Sequence, residues 1–133
     1  MSNSYSQIEA AMQLYFDGFY EGDVNTLKQV FHPNCHLYSA TLGTIVDDDM
    51  DAVYARVAAR EAPAKRAEVR ADRIISIHFS DNVTALATVE IGIGDKFFTD
   101  YLNFVKLDGQ WCIISKIYTF VMREAVSHSE AAD

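Results

Sequence analysis

Four long runs of alternating apolar and polar residues fill most of the second half of the chain, at residues 68–79, 83–93, 97–107 and 111–121. Alternation with a period of two is typical of strands that bury one face. Between the runs stand residue pairs that tolerate the backbone angles of tight hairpin turns, namely Asp81-Asn82, Gly94-Asp95 and Asp108-Gly109. The pattern predicts an antiparallel meander whose apolar face must be covered by the first half of the chain.

The first half has the periodicity of helices. Apolar residues recur at steps of three and four before Gly22, and Asp23 can cap a second helix that Pro33 prevents from continuing. We predict helices at Ser4 to Glu21, Val24 to Phe31 and Met50 to Arg60, and a bent strand or arm at Cys35 to Val46. The expected fold class is α+β, with three N-terminal helices on a curved, mostly antiparallel sheet. The 133 residues fit one domain, with an ordered core at 5–122 and a flexible tail at 123–133.

The hairpin turns also predict which residues share a face of the sheet. With a two-residue turn at Asp108-Gly109, Leu102 should lie opposite Ser115, and Asp100 opposite Ile117. The face that contains these residues is almost wholly apolar, so the helices should pack on it.

Asp100 is the one carboxylate expected on this apolar face. Burying an ionised carboxylate without a partner costs several kcal/mol, so the group must be paired, protonated or open to a water-containing cavity. It either belongs to a functional cavity or caps local backbone or pairs with an arginine near a strand end.

The opposite face mixes polar and apolar residues, as protein interfaces do. We expect a homodimer through this outer face, with Leu86, Tyr101, Ile114 and Tyr118 in the interface. Lys116 is expected opposite Tyr101, as an interface or surface pair rather than a catalytic lysine.

Composition excludes several classes of partner. A net charge of −8 argues against nucleic acid, whose binding depends on basic side chains. No apolar run approaches the roughly 20 residues that cross a bilayer, so we expect no membrane partner and a cytoplasmic protein. Cys35 and Cys112 stand alone in strand-like segments and are interpreted as reduced core thiols.

The positions of the aspartate run and of the histidines give little support for a metal site or for catalysis by histidine. The run Asp47-Asp48-Asp49 cannot converge like the alternating ligands of a calcium loop, and it fits the start of a helix. We therefore predict neither a metal nor a cofactor. His36 is a possible base but points away from Ser39 by strand alternation, while His32 and His78 have positions ordinary for surface residues.

Several motifs resemble the nuclear transport factor 2-like superfamily. They are LYFDGFYEGD at residues 14–23, VFHPN at 30–34, DYL at 100–102, KLDGQW at 106–111 and IISK at 113–116. Together they cover nearly the whole chain and are most similar to the branch named "putative lumazine-binding". The resemblance implies a cone-shaped, cystatin-like fold, shared with SnoaL-like and ketosteroid-isomerase-like proteins, with a pocket between helices and sheet and commonly a homodimer.

The resemblance also allows a comparison with ketosteroid isomerases. Tyr15 stands at the position of their carbonyl-polarising tyrosine, but Ser39 occupies the position of their general base. A serine hydroxyl cannot act as a base without a partner that takes its proton, which disfavours that chemistry.

Three functions remain open from the sequence. The leading hypothesis is a small-molecule-binding protein with a hydrophobic pocket lined by Tyr15, Phe19, Ser39, Tyr54, Asp100 and Ser115. The second is a cofactor-free isomerase or lyase acting on a small carbonyl compound, with Tyr15 as electrophile and Asp100 as acid or base. The third is a protein-interaction module that uses the outer face of the sheet.

Overall fold

The computed structural model describes residues 3–128 and contains three helices and one six-stranded sheet. The helices are α1 (Ser4–Glu21), α2 (Val24–Leu27) and α3 (Met50–Ala59). The strands are β1 (Phe31–Ser39), β2 (Val46–Asp49), β3 (Asp72–Asp81), β4 (Thr84–Ile93), β5 (Lys96–Leu107) and β6 (Gln110–Met122). The α+β class and the three helices are as predicted, although only α1 is long and the predicted single arm before α3 is two strands, β1 and β2. Among residues 3–128, no helix combines the length and apolar character needed to cross a bilayer.

The sheet has the strand order β2-β1-β6-β5-β4-β3, and β1 and β6 form its one parallel pair. The other neighbours are antiparallel, so the predicted meander is β3 to β6. Its inner face packs against α1, with a core in which Ile8, Met12, Val89 and Leu102 have no exposed surface. The helices therefore cover the face that the alternation predicted.

The second helix and the first strand differ from their predicted bounds. α2 ends at Leu27, and Phe31 already belongs to β1, which ends at Ser39. The cause is tertiary: the backbone N–H of Ile113 donates to the carbonyl of Val30, which draws this segment into the sheet. Residues 40–45 form a loop before the short strand β2.

The predicted pairing of β5 with β6 holds near the turn and then fails by one residue. Leu107 lies opposite Gln110 and Phe104 opposite Ile113, as expected, but Asn103 lies opposite Ser115. Ile114 is thus an extra residue, a β-bulge.

A shift of one residue exchanges the faces of every side chain beyond it. Lys116 is therefore opposite Leu102, and Tyr118 is opposite Asp100, both on the inner face. The prediction of an outward Lys116 paired with Tyr101 is wrong, as is that of an outward Tyr118. Ile117 takes the place opposite Tyr101.

The first part of the C-terminal tail is attached to the sheet side of the molecule. The backbone N–H of Val69 donates to Val126, and that of His128 donates to Ala67. The Arg123 side chain donates to the carbonyl of Gly94. Residues 123–128 are thus tied to the rest of the molecule by hydrogen bonds, and residues 129–133 of the predicted flexible tail lie outside the described part of the chain.

Candidate functional site

A cavity of about 690 Å³ lies between α3, the end of α1 and the inner face of the sheet. Its wall combines charged residues with apolar and aromatic side chains that include Phe19, Val53, Val57, Ile91, Phe98 and Phe120. A volume of this size is within the range of small-molecule sites, which are typically lined by apolar residues with a few polar groups.

Two of the six predicted pocket residues line this cavity, Phe19 and Ser39. Tyr15 and Asp100 have no exposed surface and lie behind the wall. Tyr54 lies away from the cavity, with the Lys28 ammonium of the helical hairpin 5.6 Å from its ring centroid.

The prediction that Ser115 lines the pocket is wrong because of the bulge. It lies on the outer face, where it accepts a hydrogen bond from Asn103 at 2.9 Å. Ser39 is aligned as strand alternation predicted, and its hydroxyl hydrogen-bonds Thr41 at 3.2 Å. His36 points to the other side of β1 and contacts Asp47 at 2.6 Å.

Behind the wall, Tyr15, Asp100 and Lys116 form a buried polar cluster. The Tyr15 hydroxyl of α1 donates a short hydrogen bond to Asp100 Oδ2 on β5. Lys116 Nζ on β6 lies 3.4 Å from the same oxygen. The paired interpretation of Asp100 is therefore correct, but the cation is a lysine, and Asp100 Oδ1 remains buried without a hydrogen-bond partner within residues 3–128.

Lys116 connects this cluster to the cavity, because it is the member that lines the cavity wall. Its ammonium is surrounded by three aromatic rings, with distances to the ring centroids of 5.2 Å for Tyr15, 5.0 Å for Phe19 and 5.4 Å for Tyr118. Cations within about 6 Å of a ring face are attracted by its quadrupole. The rings and Asp100 together hold the Lys116 ammonium at the wall of the cavity.

Burial changes the pKa of both Lys116 and Tyr15. Desolvation lowers the pKa of Lys116 from its ordinary value, against the opposing effect of Asp100. Burial, and then the charge of Asp100, raise the pKa of Tyr15 well above its ordinary value. Tyr15 therefore stays a neutral hydrogen-bond donor, while Lys116 loses its proton more easily than a lysine in water.

Sequence reasoning missed Lys116 because nothing in the residue pattern reveals the bulge at Ile114. The nearest sequence indication is Asp100 itself, since a carboxylate on an apolar face requires a partner. Lys116 is the cationic residue on the neighbouring strand that lies nearest to Asp100. A regular hairpin would have paired it with Tyr101, one residue from its observed partner Leu102.

The acidic run and His32 have structural partners. Asp49 caps α3 by accepting from Ala52 N–H at 2.9 Å, and Asp48 pairs with Arg56 at 3.0 Å. His32 accepts from Asn34 N–H at 3.0 Å, a local turn contact. Within residues 3–128, no group of three or more His, Cys, Asp or Glu side chains is arranged to hold a metal ion.

Comparison with known proteins agrees with this architecture. A family model described as "Putative lumazine-binding" matches residues 3–119. The chain belongs to this family. The assignment agrees with the branch that the sequence motifs resemble.

Members of the wider fold have been solved from several bacteria. A nuclear transport factor 2-like protein of unknown function from Silicibacter pomeroyi has a TM-score of 0.77 at 21% identity, over 91% of this chain and 100% of that one. A ketosteroid isomerase-like protein from Erwinia carotovora atroseptica has a TM-score of 0.69 at 11% identity, over 91% and 98%. At such identities the likeness establishes the fold alone.

A curated relative has a named activity. Aldolase FrzH from Cladobotryum sp is 22% identical over 117 residues, which is 88% of this chain and 91% of that protein.

Proposed function

We propose that this protein binds a small, largely apolar molecule in the cavity and directs the Lys116 ammonium at an oxygen atom of that molecule. The observation that carries the proposal is a buried lysine at the inner end of an aromatic-walled cavity. A lysine side chain costs free energy to bury, so the site that retains it should gain from its charge or its amine.

The surroundings of Lys116 support a ligand contact on one side. Asp100 is 3.4 Å from the ammonium, and the rings of Tyr15, Phe19 and Tyr118 flank it. An ammonium has three N–H donors, and Asp100 Oδ2 also accepts from Tyr15. Donor capacity is thus left for an acceptor in the cavity, such as a ketone, quinone or pteridine oxygen.

Thermal-shift screening followed by calorimetry tests the proposal. The panel includes lumazine, riboflavin, progesterone and aromatic ketones, and at least one of these classes should raise the melting temperature of the wild-type protein. Lys116→Met should weaken the binding of a hit about tenfold or more, since hydrogen bonds to charged groups contribute about 1.5–3 kcal/mol.

The matched control is Lys65→Met, which makes the same chemical change at an exposed residue outside the cavity wall. It should leave binding unchanged. The proposal is wrong if no member of the panel shifts the melting temperature, or if Lys116→Met binds a hit as tightly as the wild type while keeping its fold.

A second candidate function is carbon–carbon bond chemistry through the Lys116 amine. The named activity of Aldolase FrzH favours it, together with the placement of a desolvated lysine against an apolar cavity. The isomerase scheme with Tyr15 as the group that touches substrate has no such support, because Tyr15 and Asp100 have no exposed surface.

The chemical step would begin when Lys116 gives up a proton, which Asp100 is placed to accept. The neutral amine then adds to a carbonyl carbon, the carbonyl oxygen leaves as water, and an iminium ion forms. Loss of a proton from the adjacent carbon gives an enamine, the nucleophile of an aldol reaction.

Reductive trapping tests this second function. Sodium cyanoborohydride added to the protein with a ketone that binds should increase the protein mass by that of the ketone less one oxygen atom, with the modification at Lys116. An unmodified protein under saturating ketone would exclude the amine mechanism and leave the binding proposal standing.

A further inference from the structure

Arg60 is a second cationic side chain that lines the cavity, at the C-terminal end of α3. Its backbone N–H donates to the carbonyl of Arg56 at 3.2 Å and closes the helix. Its guanidinium carbon is 5.9 Å from the ring centroid of Phe19, the same ring that Lys116 approaches. Two cations therefore lie near one aromatic ring of the cavity wall.

Unlike the other two arginines of the wall, Arg60 has no carboxylate within ion-pair distance in residues 3–128. Arg56 pairs with Asp48 at 3.0 Å, and Arg66 lies 3.5 Å from Glu68. By contrast, Arg60 Nη2 is buried and makes no hydrogen bond within that part of the chain. This nitrogen has lost water contacts without gaining a protein acceptor.

An unsatisfied buried donor is costly, and more so when it carries charge. Burial, and then the charge of Arg56, lower the pKa of Arg60, yet a guanidinium remains protonated at any ordinary pH. The side chain cannot relieve the cost by becoming neutral. The charge of Glu68 opposes the lowering of the pKa without forming an ion pair with Arg60, and a ligand in the cavity can supply the acceptor.

The ion pairs of the cavity wall leave the charge of Arg60 unmatched. Five cationic side chains line the cavity, Arg56, Arg60, Arg66, Lys96 and Lys116, against three acidic ones, Asp48, Glu61 and Asp95. Two further carboxylates, Asp100 and Glu68, lie within ion-pair distance of Lys116 and Arg66. Among the arginines of the wall, Arg60 is therefore the one whose charge a negatively charged ligand would neutralise.

We propose that Arg60 binds a carboxylate of the ligand, so that the cavity takes a small carboxylic acid with an apolar body and an oxygen near Lys116. A guanidinium presents paired N–H donors that match the two oxygens of one carboxylate. This inference rests on the proposed binding function and names the class of ligand.

Matched ligands test the role of charge. The probe is 4-oxo-4-phenylbutanoate, which carries an aromatic ring, a ketone and a carboxylate, and its partner is the primary amide of the same acid. The amide keeps the shape but loses the charge. The wild type should bind the acid more tightly than the amide in calorimetry.

Matched variants test the role of Arg60. Arg60→Met should weaken binding of the acid about tenfold or more, and of the amide by less than about threefold, since charge-assisted hydrogen bonds are about twice as strong as neutral ones. Arg56→Met and Arg66→Met remove arginines of the same wall that already have carboxylate partners, and each should weaken binding of the acid by less than about threefold.

Equal losses for all three variants, or equal binding of acid and amide, would overturn the inference. If the acid fails to bind while a neutral ligand of the screening panel binds, the carboxylate inference is wrong and the binding function stands. If nothing binds, both proposals are wrong.

A stability measurement separates ligand binding from a structural role. Because Arg60 has no acceptor in the described structure, Arg60→Met should leave the melting temperature of the unliganded protein unchanged or raise it. Arg56→Met removes an ion pair and should not raise it. A large decrease for Arg60→Met would show that the arginine supports the fold, and would overturn the inference.

Discussion

At the scale of the residue, Asp100 shows what a sequence can and cannot reveal. The alternation of β5 identified a carboxylate on an apolar face, and physical chemistry required a partner for it. The partners are Tyr15 and Lys116. Tyr15 was among the predicted site residues, whereas Lys116 was assigned to the wrong face because its orientation depends on a register that residue types do not encode.

Arg60 illustrates a different limit. An arginine at the end of a helix is ordinary, since cations there interact favourably with the helix dipole. Only the packed structure shows that its guanidinium lies against Phe19 with Nη2 buried, and without a carboxylate partner within residues 3–128. Burial of a single nitrogen atom is a tertiary property, and local sequence does not report it.

The raised pKa of Tyr15 predicts how stability depends on alkaline pH. When the pH exceeds 10.0, the ordinary pKa of tyrosine, Tyr15 loses its proton in the unfolded chain but keeps it in the folded protein. The folded state then binds more protons, so the free energy of unfolding falls as the pH rises. Tyr15→Phe should make this decline shallower by up to about 1.4 kcal/mol per pH unit.

Urea unfolding at a series of pH values from 10 upwards measures this slope. Lys116 contributes with the opposite sign, because its pKa is lowered from 10.5, and it is present in both proteins. Burial raises the pKa of Tyr54 to about 12, so Tyr54 also contributes to the pH dependence of stability, equally in the wild type and in Tyr15→Phe. An identical slope for the wild type and Tyr15→Phe would show that Tyr15 does not hold its proton as the buried cluster requires.

At the scale of the element, the helical hairpin depends on a close approach between α1 and α2. A Cβ atom placed on Gly18 would lie 2.6 Å from Leu27 Cδ2, far inside van der Waals contact, and Leu27 is fully buried. Gly22 then ends α1 in the left-handed conformation, with φ of 66°. The sequence predicted the stop at Gly22, but the packing role of Gly18 needs the structure.

Gly18→Ala should therefore destabilise the protein by about 1–3 kcal/mol, the usual cost of an overpacked core. In a Leu27→Ala background the clash is removed, and the higher helix propensity of alanine should make the same change neutral or favourable by up to about 1 kcal/mol. Chemical denaturation of the double-mutant cycle measures the difference. Additive effects in the two backgrounds would contradict the proposed contact.

The strands show why faces are harder to predict than elements. The turn at Gly94-Asp95 set the register of β4 with β5 correctly, including Val89 opposite Asp100. The turn at Asp108-Gly109 did so only as far as Phe104 opposite Ile113. A bulge is chosen by packing across the whole sheet, so counting from a turn is reliable only until the first irregularity.

At the scale of the whole molecule, the fold class followed from periodicity, and the outer face of the sheet remains unassigned. Leu86 and Tyr101 lie on it as predicted, whereas Ile114 occupies the bulge and Tyr118 faces the cavity. Tyr101 and Ile117 are directly opposed there, with 46% and 52% of their surfaces exposed. Thr88 on β4 lies opposite Tyr101 on the other side, so Thr88, Tyr101 and Ile117 form an uncharged row across β4, β5 and β6.

We propose that a second copy of the chain covers this row, because the centres of interfaces are depleted of charge and rich in aromatic residues. Ile117→Glu should convert a dimer into a monomer in light scattering at micromolar concentration, since it places like charges opposite each other at a two-fold contact. Leu107→Glu is the control, a similarly exposed residue beside the Asp108-Gly109 turn. A monomeric wild type would contradict the proposal.

The bulge at Ile114 makes the chemistry of the cavity depend on the register of the strand as well as on side-chain identity. A regular ladder along the whole of β6 would place Lys116 opposite Tyr101 and Ile117 opposite Asp100, without any substitution. Because the bulge absorbs one extra residue, a relative that lacks both the bulge and that residue would keep its lysine opposite Leu102. An alignment of two such relatives without a gap at Ile114 would match residues that lie on opposite faces of the sheet.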